Sequence, residues 1–146
     1  RRQRQMCIRD RYPAELVKPM REDLTSVGFV ELTNSDEVNS LVTNSETAVL
    51  IVNSVCGCAA ANARPGVKSS LANDKKPNQL FTVFAGVDKE ATDAARKLMI
   101  PFPPSSPCIA IFKEGELVHM LERHHIEGRS AEIISNNLKQ AYDQFC

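Results

Sequence analysis

The sequence predicts an α/β protein, with a four-stranded mixed sheet flanked by helices and extra helices at its N-terminal side. Three observations lead to this prediction. The β-branched and aliphatic run Thr47–Val55 is typical of a strand that is buried on both faces. A second apolar run, Gln79–Gly86, follows after a helical interval, so we expect these two strands to be parallel. A Glu114-Gly115 turn between two later apolar runs indicates a hairpin.

The chain begins with an arginine-rich stretch, Arg1–Arg11, that we expect to be foreign to the domain. It has no apolar centre and therefore does not resemble a secretory signal. Its letters MCIRDR match one reading frame of a transposon-end adaptor, so we interpret the stretch as an artefact in which Cys7 has no function. The alternative is a flexible basic arm. On the first interpretation the domain spans residues 12–146.

Two helices are predicted before the first strand. Pro19 marks a kink or the start of the first helix, and Gly28 is a plausible stop. Asn34 or Ser35 is expected to cap the second helix. Apolar residues recur at helical spacing in both segments: Leu16, Val17, Met20, Leu24 and Val27, then Val38, Leu41 and Val42.

Helices are also predicted around the strands. The alanine-rich segment after the first strand should be helical until Pro65 interrupts it, and Asp88 should cap the helix after the second strand. Ser130 should cap the closing helix, whose apolar face is Ile133, Ile134, Leu138, Ala141 and Phe145. The resulting order, β-α-β-α-β-β-α, is the thioredoxin-like arrangement.

Composition excludes several classes of function. The formal net charge is zero, so the sequence does not favour nucleic acid or an anionic membrane surface as partner. No apolar run approaches the length of a membrane span. Five cysteines is an odd number and unlike a disulfide-stapled secreted domain. We therefore expect a cytoplasmic protein with reactive or buried thiols.

Cys56 and Cys58 fall where the first strand gives way to a helix. Unpaired N–H groups and the helix dipole favour a thiolate there, which predicts a pKa below the usual value of about 8.5. Cys56 lies outermost and is the better candidate nucleophile, with Cys58 as resolving thiol. Gly57 eases the distortion that a disulfide at this spacing requires. A strained disulfide is readily reduced, so the motif suits the transfer of an adduct or disulfide shuffling.

A proline is expected opposite these cysteines. Pro107 precedes the third strand, where thioredoxin-like folds place a cis-proline facing the reactive site. We expect its peptide bond to be cis. The backbone of Ser106 would then pair with a substrate peptide or thiol.

Four blocks of the sequence together resemble the bacilliredoxin family: NSVCGCAAANARP, TVFAGVDKEAT, PSSPCIAIF and RHHIEG. The resemblance covers about Tyr12–Cys146. It implies a thioredoxin fold and removal of bacillithiol from protein mixed disulfides, with Cys56 attacking and Cys58 as its partner. It also implies a weak isomerase activity, no bound cofactor, bacillithiol as co-substrate, and partners that are S-bacillithiolated proteins and a recycling disulfide reductase.

Other interpretations stay open. The cysteines could be buried structural thiols, or a metal-binding or redox-sensing module in which Cys108 and His124 or His125 add ligands. The simpler expectations are that Cys108 belongs to the core and that RHHIEG is a turn held by side-chain hydrogen bonds. Arg64 is expected to be solvated, with the binding of an anionic thiol cofactor as the alternative. Cys146 is expected to be an accessible thiol at the chain end.

Overall fold

The structure, a computed structural model, describes residues 14–57, 59–100 and 102–146. The arginine-rich stretch Arg1–Arg11 and its Cys7 lie outside these residues. The elements in chain order are α1 (Ala14–Thr25), β1 (Val30–Glu31), α2 (Ser35–Glu37) with a π-helical continuation (Val38–Val42), β2 (Thr47–Asn53), a π-helical segment (Ala59–Ala63) that leads into α3 (Arg64–Ser70), β3 (Gln79–Phe84), α4 (Lys89–Leu98), β4 (Cys108–Lys113), β5 (Glu116–Leu121), α5 (Arg123–Ile126) and α6 (Ala131–Phe145).

The sheet has the strand order β1-β3-β2-β4-β5. Strand β2 pairs in parallel with β3 and antiparallel with β4, and β4 forms the predicted hairpin with β5. Both turn residues of the hairpin, Glu114 and Gly115, have positive φ, which the turn between twisted strands favours. The strand count was wrong by one, because β1 has two residues and shows no periodicity that a sequence reveals.

Strand β2 lies at the centre of the sheet, and all seven of its residues are buried. Its alternate side chains enter two separate cores, one on each face. Leu50 and Val52 pack with residues of α4 and of the π-helical continuation of α2, whereas Val49 and Ile51 pack with α1, α3 and α6. This burial explains why the strand reads as an unbroken apolar run.

The N-terminal helices keep their predicted positions but differ in detail. Pro19 lies inside α1 and does not end it. Val17 and Leu24 are buried, whereas Leu16 and Val27 are exposed and were wrongly assigned to the apolar face. The cap of α2 is Asn34, whose Oδ1 accepts a hydrogen bond of 2.9 Å from the Glu37 N–H.

The closing helix α6 begins as predicted, with the Ser130 Oγ accepting from the Ile133 N–H at 3.2 Å. Ile133 itself is 52% exposed and does not belong to the apolar face. Tyr142, which the apolar pattern missed, is fully buried. Its Oη lies 2.9 Å from the Ser70 Oγ, so the hydroxyl has a partner inside the core.

Among the residues that the structure describes, no helix combines the length and the apolar character needed to cross a membrane.

Candidate active site

Two loops meet at one end of the sheet because β2 and β4 are antiparallel neighbours. Val52, near the end of β2, pairs with Cys108 at the start of β4. The residues that follow β2 and those that precede β4 therefore emerge together. Cys56 from the first loop and Ser106 from the second line one cavity of about 330 Å³.

Cys56 lies at the start of a helical turn, as the sequence predicts. Its carbonyl accepts hydrogen bonds from the N–H groups of Ala59 and Ala60 at 3.0 and 3.3 Å. Its own N–H donates to the Ser54 Oγ at 3.3 Å, which ties the cysteine back to the end of β2. The residue is half-buried and lines the cavity. A thiolate at this position faces the positive end of the helical turn.

The rest of the C-x-C motif is only partly described. Gly57 is exposed, and a Cβ added there would meet no atom within 4 Å. Its place in the motif is therefore not dictated by packing. Cys58 lies outside the described residues, so its resolving role stays a prediction.

The Ser106-Pro107 peptide bond is cis, as expected from the sequence. Pro107 is buried and Ser106 is half-buried. Arg123 approaches this segment from α5: its Nη1 donates to the Ser106 carbonyl at 3.3 Å, and its backbone N–H donates to the Ser105 Oγ at 3.4 Å. The backbone before the cis bond thus lies beside a positive charge as well as beside Cys56.

Arg64 was expected to be solvated, and this was wrong: the residue is only 5% exposed. Its Nη1 donates to the Asn53 Oδ1 at 2.8 Å and to the Ser54 carbonyl at 3.0 Å, directly after β2. Its Nε donates to the Asp23 Oδ2 at 3.2 Å, and Lys68 binds the other oxygen of Asp23 at 2.6 Å. Arg64 therefore joins α1 and α3 to the loop that carries the cysteine.

Asp88 occupies the N-cap position of α4, but its side chain does not cap the helix. The carboxylate instead accepts bonds of 2.9 and 3.3 Å from the Arg21 guanidinium, which also binds Glu31 at 2.7 Å and lies over the Phe84 ring. Burial disfavours the charge on Arg21, but the bonds to both carboxylates outweigh it and raise the pKa of Arg21. This network fastens α1 to the sheet.

Cys108 is a core residue, as the simpler expectation held. It is 1% exposed, and burial raises the pKa of its thiol to about 12. Cys146 is exposed, and partial burial of its sulfur raises its pKa. Because metal ligation needs a thiolate, the environment of Cys108 opposes the suggested role as a third sulfur ligand.

The first four residues of the RHHIEG block form the short helix α5, and the last two, Glu127 and Gly128, form the turn that the sequence predicts. The expected side-chain hydrogen bond is present, because the His125 Nδ1 accepts from the Glu122 N–H at 3.0 Å. Within the described part of the chain, one group of three ligand-type side chains converges to within 4.8 Å: Glu122, His124 and His125. This group contains no cysteine and so does not match the suggested thiolate metal site.

Comparison with known proteins agrees with this geometry. The family model described as disulphide isomerase matches residues 12–146. A bacilliredoxin of Cytophaga hutchinsonii is 55% identical over 133 residues, which cover 91% of this chain and 98% of the relative. A bacilliredoxin of Halalkalibacterium halodurans is 48% identical, with coverage of 92% and 94%.

Solved structures show the same fold at lower identity. Oxidised mitochondrial thioredoxin 3 of Saccharomyces cerevisiae has a TM-score of 0.55 and 17% identity, with coverage of 84% of this chain and 98% of that chain. Oxidised thioredoxin O2 of Arabidopsis thaliana has a TM-score of 0.55 and 19% identity, with coverage of 80% and 96%. The predicted thioredoxin-like fold is thereby confirmed. The chain belongs to the bacilliredoxin family, which the family model describes as disulphide isomerases, and it is a thiol–disulfide oxidoreductase.

Proposed function

We propose that the protein removes bacillithiol from mixed disulfides on other proteins and that Cys56 is the attacking thiol. The observation that supports this proposal is the position of Cys56. It lies at the start of a helical turn, half-buried, in one cavity with the residue before the cis-proline. The high identity to bacilliredoxins supports the choice of bacillithiol over other small thiols.

In the first step the Cys56 thiolate attacks the bacillithiol sulfur of the mixed disulfide. The bond between bacillithiol and the target protein breaks, and the target cysteine leaves as a thiolate that takes a proton from water. Cys56 now carries bacillithiol in a new disulfide. No net oxidation occurs, because one disulfide has replaced another.

Regeneration needs an external thiol. A second bacillithiol thiolate attacks the sulfur of the bound bacillithiol, which releases bacillithiol disulfide and restores the Cys56 thiolate. A disulfide reductase then supplies two electrons to the bacillithiol disulfide. Cys58 offers a second route, in which its thiolate attacks the Cys56 sulfur, displaces bacillithiol and leaves a Cys56–Cys58 disulfide. Two bacillithiol molecules then reduce this disulfide in two exchange steps and leave as bacillithiol disulfide. This cycle runs in a reducing compartment, which is why we place the protein in the cytoplasm.

The neighbouring residues have proposed roles in substrate binding. Ser106 and Pro107 shape the groove beside Cys56, and the Ser106 backbone pairs with the peptide of the target. Gly57 is exposed and without close neighbours, so it gives the incoming disulfide unobstructed access. The substrate therefore meets backbone and one sulfur, an arrangement that accepts many target proteins.

A second candidate activity is disulfide isomerisation, which the description of the matching family favours. The same Cys56 thiolate would attack a disulfide within a misfolded protein. Reactivation of a test protein whose cysteines are paired in non-native disulfides measures this activity without bacillithiol.

The test is intact-protein mass spectrometry during a transfer reaction. Reduced protein is mixed with a bacillithiolated model protein, and the wild type is compared with Cys56→Ala and Cys58→Ala. The proposal expects a bacillithiol adduct on the wild type and on Cys58→Ala, with release of the substrate thiol, and neither event with Cys56→Ala. Transfer by Cys56→Ala at the wild-type rate contradicts the assignment of Cys56.

Cys146→Ser is the matched control. Cys146 is exposed, and its thiol forms a hydrogen bond with the side chain of Thr47. Thr47 lies at the opposite end of β2 from the loop that carries Cys56. The seven residues of β2 span about 20 Å, so this thiol is remote from the site. We expect the variant to behave as the wild type does. If bacillithiol is not transferred by any form while Cys56 still reacts with iodoacetamide, the assignment of bacillithiol fails.

A further inference from the structure

The cavity beside Cys56 is lined by positively charged side chains. Two arginines, Arg96 from α4 and Arg123 from α5, line it together with Cys56 and Ser106. The described residues that line the cavity include no carboxylate. A small pocket with two guanidinium groups and a nucleophilic sulfur has the charge that a negatively charged ligand requires.

The environment of Arg96 gives the strongest support for a ligand in this cavity. Its Nε is buried and has no hydrogen-bond partner, and it is the one buried side-chain nitrogen or oxygen in that condition among the described residues. None of the ion pairs in the described part of the chain includes Arg96. The positive charge of Arg96 also lowers the pKa of the Cys108 thiol, against the larger effect of burial, which raises it. Arg96 therefore lies near the start of β4. Glu122 also acts on the Cys108 sulfur, so a carboxylate lies in the same region, but it forms no ion pair with Arg96. A half-buried guanidinium that forms no ion pair gains from an anionic ligand that binds it directly.

Arg123 supplies the second charge from a different element. Its Nη1 donates to the Ser106 carbonyl at 3.3 Å, so its guanidinium is adjacent to the segment that faces Cys56. Its ion pair with Glu127 is long, at 3.7 Å, and both side chains are largely exposed. An exposed pair of this kind contributes little energy and yields readily to a better-placed anion.

We propose that this pocket is a carboxylate-binding subsite that recognises the small thiol carried on Cys56, with Arg96 as the specificity-determining residue and Arg123 as its partner. The inference rests on the proposed function, because it assigns the recognition of the thiol that Cys56 accepts. Its ligand class is a low-mass thiol that bears carboxylates, as bacillithiol does. Arginine suits this task because its planar fork donates two parallel hydrogen bonds to one carboxylate.

The test compares three mixed disulfides of one model protein: with bacillithiol, with glutathione, and with cysteamine, which has no carboxylate. Single-turnover transfer to Cys56 gives a half-saturation concentration and a maximal rate constant for each. For Arg96→Gln we expect the half-saturation concentration for the two carboxylate-bearing substrates to rise about tenfold, the loss of one charged hydrogen bond. Cysteamine carries an ammonium in place of a carboxylate, so we expect no rise in its half-saturation concentration when the arginine charge is removed.

Two further variants and a control complete the design. Arg123→Gln should show the same selective loss, and because its side chain is exposed we expect this variant to fold as the wild type does. Arg96→Lys should restore part of the selectivity. Lys97→Gln removes the same charge from an exposed position of α4 and should leave all three substrates unchanged. Equal weakening of all three substrates by Arg96→Gln would overturn the inference. A shifted pH profile of iodoacetamide alkylation would then identify Arg96 as a residue that only tunes Cys56.

The outcomes also separate this inference from the proposed function. Arginine-dependent transfer of glutathione without transfer of bacillithiol keeps the carboxylate subsite and rejects bacillithiol as the natural thiol. Efficient transfer of bacillithiol that depends on neither arginine keeps the proposed function and rejects the subsite.

Discussion

Replacement of the buried Arg64 tests how the loop that carries Cys56 is held. The Arg64 guanidinium donates to the Asn53 Oδ1, to the Ser54 carbonyl and to Asp23. Arg64→Ala removes all three bonds and leaves a space where a nearly buried side chain was. We expect the variant to be less stable and its cysteine loop to be less firmly positioned.

The size of the destabilisation depends on which hydrogen bonds each acceptor of Arg64 retains in the variant. The Asn53 Oδ1 still accepts from the Ser54 N–H at 2.9 Å, and Asp23 still binds Lys68 at 2.6 Å. The Ser54 carbonyl loses its charged donor, which costs about 1.5–3 kcal/mol for a hydrogen bond to a charged group. The loss of packing around the arginine stem adds to this, so we expect a decrease of about 3 kcal/mol in the free energy of unfolding.

Equilibrium urea unfolding of the wild type, Arg64→Ala, Arg64→Lys and Lys68→Ala measures this difference. Arg64→Lys keeps the charge but loses the fork, so it should fall between the wild type and Arg64→Ala. Lys68→Ala breaks only a partly exposed ion pair with Asp23 and should cost less than about 1 kcal/mol. Equal losses below 1 kcal/mol for Arg64→Ala and Lys68→Ala would refute the reasoning.

Two other predictions concern stability. A Cβ on Gly66 would lie 2.6 Å from the Ile134 Cγ2, so Gly66→Ala should lower the free energy of unfolding by about 1–3 kcal/mol. Gly57→Ala, which meets no neighbour, should change it by less than about 1 kcal/mol, and thermal unfolding compares the two. Burial raises the pKa of Cys108 from 9.0 to about 12, so the folded state keeps a proton that the unfolded state loses. Stability should therefore fall as the pH rises from 9 towards 12, by up to about 1.4 kcal/mol per pH unit from this group. Between pH 8 and 10.5 the free energy of unfolding in urea should decline more steeply for the wild type than for Cys108→Ala. Parallel declines would contradict a raised pKa of Cys108.

The sequence predicts most of the fold because its strongest signals are local or periodic. The apolar run of β2, the turn at Gly115 and the cap at Ser130 each follow from a few neighbouring residues. Strand β1 is different, because its two residues become a strand only through pairing with β3. The exposed Ile133 shows a second limit, since periodicity indicates a face without fixing its edges.

The residues of the candidate site also differ in whether local sequence signals predict them. Cys56 and the cis bond before Pro107 could be predicted, because motif and topology specify both positions. Arg64 and Arg96 could not, because an arginine reads as solvated unless its distant neighbours are known. The Asn53 acceptor of Arg64 is 11 residues away along the chain, and the Asp23 acceptor is 41 residues away. No sequence pattern predicts either hydrogen bond.

The pairing of β2 with β4 also limits which proteins this oxidoreductase can serve. The reactive sulfur and the backbone before Pro107 leave adjacent strands of one sheet, so the ladder between those strands fixes their separation. A target that reaches both must therefore present its cysteine together with an accessible stretch of backbone. We therefore expect modified cysteines in loops, tails and loosened segments to be restored quickly, and those held in rigid helices to wait until local unfolding exposes them. The choice of target would then depend on the local flexibility of the target protein more than on its sequence.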